Sequence, residues 1–274
     1  MIRISQLNIY PIKSLGGIAV DNALVTDRGL QHDRGYMLVD ENNNFLTQRE
    51  YPVMALLQTA MEGNELCVSH KKSADLQLRL PLIPISTGNT TKVQVWEDVC
   101  EAVYISQLAD EWFSEQIGFS CRLVYMPEST KRKVDINYAL KDDVTSFSDA
   151  YPILIIGQSS LDDLNSRLET TLPMNRFRPN IVFTGGQPFE EDTMDHFIIN
   201  GIHFFGVKPC ARCVVTTTNQ ETGIAGKEPL TTLATYRKWN NKILFGQNVL
   251  SEGAGEIRVG NSIEVLKTKL PVIP

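Results

Sequence analysis

Residues 207–223 read VKPCARCVVTTTNQETG and place two thiols, Cys210 and Cys213, three positions apart with Arg212 between them. Four chemistries use such a pair: a zinc site, a redox dithiol, a disulfide, or one thiolate serving something larger. A closed zinc site takes four ligands, usually two cysteine pairs or one pair with histidines. Here there is one pair, and His32, His70, His196 and His203 show no H-x3–5-H spacing; His196 and His203 read as strand or surface residues flanking a turn. A thioredoxin-like dithiol sits at a helix N-terminus, where the dipole favours the thiolate. The run after Cys213, VVTTT, is β-branched and predicts a strand instead. Two readings stay open at this point. One is a lone thiolate, favoured by the neighbouring Arg212, acting as a soft ligand to a transition metal whose other ligands come from elsewhere. The other is a pair of half-buried cysteines packed in a barrel.

The remaining cysteines, Cys67, Cys100 and Cys121, bring the count to five, odd and scattered. That argues against a secreted disulfide framework and leaves Cys210 and Cys213 as free thiols in a reduced compartment. The N-terminus, MIRISQLNIYPIKSLGG, has no apolar run of signal-sequence length, and no stretch approaches the roughly 18 apolar residues of a spanning helix. The expectation is a cytoplasmic protein with no membrane association. Its 274 residues suffice for one large domain or two ordinary ones, and 42% hydrophobic with 21% charged residues is ordinary for a globular chain. A net charge of −6 speaks against a nucleic-acid binder. An anionic ligand can be held only where a few Arg and Lys gather locally.

Stepping along the chain, the first hundred residues predict short strands: Ile2–Ile9, AVDNALV, GYMLVDENNNFLTQRE with a hairpin tip at Asn42-Asn43-Asn44, LQLRLPL, and two strands in VQVWEDVCEAVYIS. A helix follows at ISQLADEWFSEQIG, capped by Ser106, with Leu108, Trp112 and Phe113 on its apolar stripe. CRLVYMP is a strand. Residues 128–145 are polar and aperiodic and read as a linker or mobile loop. YPILIIG then predicts a strand buried on both faces. SSLDDLNSRLE predicts a helix with Ser160 and Asp163 as capping box and Leu161, Leu164 and Leu168 inward. NIVFTGG is a strand, HFIINGIHFFGV a hairpin about Asn200-Gly201, PLTTLATYRKWN a third helix opened by Pro229, and EIRVGNSIEVL a hairpin about Gly260-Asn261. The class is α+β, mostly β, with a few helices, in two lobes divided as 1–127 and 128–274.

Several stretches come in a telling order: YPIKS (10–14), HDRGYMLVD (32–40), TQRE (47–50), DAYPILII (149–156), DLNSRL (163–168), RFRPNIVFTGG (176–186), FEEDT (189–193), CARCVVTT (210–217) and FGQN (245–248). Together they resemble the MOSC-domain proteins, in the branch of the mitochondrial amidoxime reducing component and its bacterial YcbX-like relatives. The resemblance covers essentially the whole chain. It implies an N-terminal MOSC-associated β-barrel lobe (1–127) followed by a MOSC β-barrel domain (128–274).

The resemblance also implies a molybdenum cofactor, with Cys213 as the protein's thiolate ligand to the metal. Family positions that contact the cofactor fall on Lys13, Ser14, Arg34, Arg178, Asn180, Ala211 and Arg212. The pair Ala150 and Tyr151 matches a further contact, where Ala150 can act only through its backbone. Cys210 is assigned packing, and Glu190, Glu191 and Asp192 a solvated loop. The implied activity is a molybdenum-dependent oxidoreductase that removes oxygen from small N-hydroxylated substrates, amidoximes and hydroxylamines, with no call for pyridoxal phosphate. Electrons would come from a separate flavin or iron–sulfur protein, since no cysteine follows Cys213 to build a fused cluster domain. The competing reading is a cofactor carrier or sulfur-transfer protein working through Cys213.

Overall fold

The apolar residues that open the chain tie its two ends together. Arg3–Ile9 forms a strand burying Ile4, Leu7 and Ile9, and its partner lies far along the sequence: Leu7 stands opposite Ile181 in the strand Ile181–Thr184. In this computed structural model, which describes residues 1–84 and 88–273, the two belong to one nine-stranded sheet. Its order is Ile18–Val20, Arg3–Ile9, Ile181–Thr184, Ile153–Gly157, Lys242–Glu252, Ile202–Ala211, Met194–Ile199 and Ile263–Thr268, with Lys238–Trp239 against Lys242–Glu252. YPILIIG sits at the centre with Ile153, Ile155 and Ile156 buried, as expected of a strand covered on both faces. The sheet wraps a core that includes Leu7, Ile155, Phe183, Phe197, Phe204 and Ile257.

Most of the remaining first half, from Tyr36 on, builds a second body. A four-stranded sheet (Tyr36–Val39, Arg122–Tyr125, Asp98–Tyr104, Thr90–Val95) and a three-stranded one (Leu57–Glu62, Glu65–His70, Ser73–Pro81) flank the helix Gln107–Ile117. The helix packs Ala109, Phe113 and Ile117 among Leu66, Val68 and Leu123. The mostly β class with a few helices, expected from the sequence, is what the chain adopts.

Several local expectations need correction. Ser106 does cap its helix, accepting from the Ala109 N–H at 3.2 Å, but the buried stripe is Ala109, Phe113 and Ile117, while Leu108 is 69% exposed. Ser160 is no cap: it lies inside the helix Gln158–Asn165, which starts at Gly157, and its hydroxyl reaches Glu191. The predicted third helix shrinks to Leu230–Leu233, because the chain turns at Asn240-Asn241 into the long strand Lys242–Glu252 that the sequence pattern did not reveal. The Gly260 turn joins no hairpin. Gly255–Arg258 pairs with Asn22–Thr26, and Ile263–Thr268 with Met194–Ile199. Residues 128–145 are no loose linker: Arg132–Lys133 pairs with Val144–Thr145, and Arg132 is buried. VVTT after Cys213 is a 3-10 turn, Val214–Thr217, rather than a strand. The Asn42–Asn44 tip and the Asn200-Gly201 hairpin form as expected, the latter with positive φ at both residues.

Candidate functional site

Cys213 is delivered by the end of a strand. Ile202–Ala211 runs beside Lys242–Glu252 until Arg212 donates its N–H to the Ile243 carbonyl at 2.7 Å. Cys213 then starts the 3-10 turn, which Arg176, the first arginine of RFRPN, grips from behind. Its buried guanidinium donates to the carbonyls of Thr216 (2.9 Å), Thr217 (2.8 Å) and Glu228 (3.2 Å). An extended backbone at Cys213 (φ −122°, ψ 179°) sends adjacent side chains to opposite sides. Arg212 therefore does not serve Cys213. Its guanidinium donates to Cys210 Sγ (3.1 Å) and to the Phe177 carbonyl (2.7 Å), and its Nε is buried with no partner. The cation at Cys213 is Arg49, whose Nε donates to Sγ at 3.3 Å. Arg49 also lies over the Trp96 ring at 4.0 Å and 3.6 Å from the Asp149 carboxylate.

Opposite these, three non-glycine residues hold left-handed backbone: Ser14 (φ 68°), Arg34 (φ 50°) and Arg178 (φ 56°). Each such conformation costs on the order of 1 kcal/mol and persists only where the surroundings impose it. The Ser14 carbonyl accepts from Gln48 Nε2 at 2.6 Å. Arg34 donates to the buried Asp33 carboxylate and to Asn180 Oδ1 (3.1 Å). Arg178 donates to the Leu15 carbonyl at 2.6 Å, and both guanidiniums pack on the Tyr10 ring, at 4.4 and 4.3 Å. Lys13 is buried and donates to the Phe147 carbonyl (2.8 Å) and to Asp149 Oδ1 (2.6 Å). Burial pulls its ammonium down to about 8, against the opposing pull of Asp149. Asp149 itself is open to solvent. Desolvation by its neighbours pushes its carboxyl up, but Lys13, then Arg49 and Arg34, outweigh this and hold it well below the usual carboxylate range.

The wall between, residues 146–149, is fixed by Arg132, which donates to the carbonyls of Ser146 (3.0 Å), Ser148 (2.6 Å) and Asp149 (3.1 Å) and to Asp98 Oδ2 (2.8 Å). The segment read as a linker thus supplies the brace for one side of the site.

These residues enclose a cleft of about 290 Å³ lined by Lys13, Ser14, Arg34, Ala150, Tyr151, Arg178, Asn180, Ala211, Arg212 and Cys213, every position singled out from the sequence. Asn180 spends its side-chain carbonyl on Arg34 and the Leu154 N–H, and its amide on the Asn8 carbonyl. Cys210 lines the cleft too and accepts from the Arg212 guanidinium. The sequence reading missed Arg49 and Asp149, although TQRE and DAYP both stood among the motifs. Glu190–Asp192 lie elsewhere and are no solvated loop. Glu191 and Asp192 are buried, Glu191 accepts from Ser160 Oγ at 2.8 Å and Asp192 pairs with Arg237.

Electrostatically, Lys13, Arg34, Arg49, Arg178, Lys208, Arg212 and Lys242 converge against one lining carboxylate, Asp149, in a chain of net charge −6. That suits a polyanion, whose oxygens Arg can meet through paired N–H donors. The unpartnered Arg212 Nε and the buried, unpartnered Tyr151 hydroxyl are donors left for it. Cys213 adds one free thiol, a soft donor type. Among the described residues no three His, Cys, Asp or Glu side chains gather, so a metal at Cys213 must bring most of its ligands along. Among them, too, no helix is long and apolar enough to cross a membrane.

Residues 1–120 match the family model of the MOSC N-terminal beta barrel domain and residues 142–264 that of the MOSC domain. The chain is 34% identical to mitochondrial amidoxime-reducing component 1 of Mus musculus, over 96% of this chain and 82% of that one. It is 32% identical to the Homo sapiens protein of the same name, with the same coverage. It is also 32% identical to molybdenum cofactor sulfurase of Oryza sativa subsp. japonica, over 96% of this chain but only 35% of that protein.

Proposed function

This chain belongs to the MOSC-domain family, and from that premise we propose that it is a molybdenum cofactor-dependent oxidoreductase reducing N-hydroxylated compounds, amidoximes and hydroxylamines, to amidines and amines. The observation that carries the reading is the convergence of seven cations on one thiol-bearing cleft of an acidic protein. Lys13, Arg34, Arg178 and Arg212 would take the phosphate and pterin edges of the cofactor, with Ser14 a neutral donor and Ala150, Tyr151 and Ala211 completing the wall. Asn180 acts one step back, fixing Arg34. Cys213 would be the protein's ligand to the metal, with Arg49 against its sulfur.

When bound, the molybdenum centre supplies the two-electron exchange, in which R–NHOH, two electrons and two protons give R–NH2 and water. The chain's own residues bind and orient. Asp149, held ionised by Lys13 and Arg49, aligns those two cations rather than delivering a proton. The electrons come from a separate flavin or iron–sulfur protein.

The test is the molybdenum and pterin content of protein purified from a host able to make the cofactor, beside Cys213→Ser, followed by benzamidoxime turnover with an artificial reductant. Near-stoichiometric molybdenum and pterin, metal loss in the variant, and turnover support the reading. Cofactor that exchanges readily without turnover supports a carrier or sulfur-transfer role instead, and zinc, or neither metal nor pterin, ends the molybdenum reading.

A further inference from the structure

One wall of the cleft differs in charge from the rest of the molecule. The chain carries 32 Asp and Glu, yet none lies between Asp195 and Glu221 or between Glu228 and Glu252. Those two acid-free stretches contain the strand Ile202–Ala211 and all of Lys242–Glu252 except its last residue, and the two strands pair with each other, so they form one continuous wall. At its edge the chain turns at Asn240-Asn241, both in left-handed backbone, and sets Trp239 directly opposite Lys242. Directly opposed residues of a two-stranded ribbon project to the same side. Lys242 lines the cleft, so Trp239 stands at its rim, 47% exposed. Val214, immediately after Cys213, is 52% exposed. Lys238, paired with Ile243, projects to the opposite side of the hairpin. On another part of the lining, Lys208 stands near Asp135, which offsets its charge.

An exposed indole, the side-chain type that most often anchors a binding hot spot, thus stands beside a lysine at the mouth of the cleft that holds Cys213. We propose that this rim, Trp239, Lys242 and Val214, is the docking surface for an acidic one-electron carrier protein. The proposal rests on the reductase reading. Each N–OH reduced consumes two electrons and two protons, so two reduced carriers dock in turn, each leaving oxidised by one electron, while solvent supplies the protons. A carrier that must arrive and depart twice per turnover needs a small, electrostatically steered contact rather than a large apolar one. The rim offers a like-charged field for steering and one aromatic anchor.

The test uses the cofactor-loaded full chain and a soluble, acidic [2Fe–2S] ferredoxin kept reduced by its reductase. Wild type should bind the ferredoxin at low salt, with affinity falling steeply as salt rises. Lys242→Glu should weaken that binding tenfold or more. Trp239→Ala should lower ferredoxin-driven turnover by a similar factor while turnover driven by reduced methyl viologen stays within twofold of wild type. Equal loss with both reductants, unchanged ferredoxin affinity in both variants, no ferredoxin binding at low salt, or capture of anionic lipid vesicles in its place would each overturn the proposal. Absence of viologen-driven turnover in the wild type defeats the reductase reading itself. Viologen turnover with unaltered carrier binding in the variants defeats only the docking surface.

Discussion

A guanidinium donating to a cysteine sulfur, stacked on an indole and facing a carboxylate is constrained by three groups of different chemistry, and Arg49 meets all three. Lys at this position would keep the charge but lose the planar stack and the fork of donors. We expect Arg49→Ala to lower retained molybdenum several-fold, Arg49→Lys to lower it less, and Trp96→Ala to fall between, read as metal per protein after gel filtration. Equal metal in all three variants would show that Arg49 merely fills space. At this scale Cys213, Lys13, Arg34 and Arg178 were legible in the sequence because their motifs travel together. The partner of Cys213 was not, because adjacency along an extended chain separates side chains instead of joining them. Arg212 looked like the partner for that reason and turned out to serve Cys210.

At the scale of elements, the short helix Glu190–Thr193 sets two carboxylates beneath the large sheet. Burial, and then the neighbouring Asp192, push the Glu191 carboxyl up to about 7, with one oxygen, Oε1, unpartnered. Its folded pKa lies above the unfolded value, so its contribution to stability is full below about pH 4.5 and is lost as pH rises through about 7. We expect wild type to lose on the order of 3 kcal/mol between pH 5 and pH 8 that Glu191→Gln keeps, measured by urea unfolding at both pH values. A parallel pH dependence in the two proteins would refute this. Elements with strong local signals, such as YPILIIG and the Asn200-Gly201 hairpin, were readable. Residues 128–145 were not, since their order comes from the buried Arg132 bonding to carbonyls, which leaves no apolar period. The strand Lys242–Glu252 was missed for a related reason: Gly246 and the polar pair Gln247-Asn248 break its apolar run.

For the whole molecule, the two halves named from the sequence share their largest sheet. Arg3–Ile9 covers the edge that Ile181–Thr184 would otherwise present, and Asn22–Thr26 pairs with Gly255–Arg258. We expect residues 128–274 expressed alone to lack a cooperative thermal transition and to aggregate through that uncovered edge, while the intact chain unfolds in a single step. A soluble fragment with a sharp transition would show that the halves fold independently. Which strands pair across such distances is set by the fit of completed surfaces, and no window of local sequence carries it.

That long-range pairing also dictates an order of events during synthesis. Arg3–Ile9 leaves the ribosome while its partner strand, ending at Thr184, is still untranslated, a wait on the order of 10–30 s at ordinary elongation rates. The cleft draws on residues from Lys13 to Asn248. Its floor and rim therefore exist only after those late residues have been made, so a nascent chain that stops short of them presents an incomplete cleft.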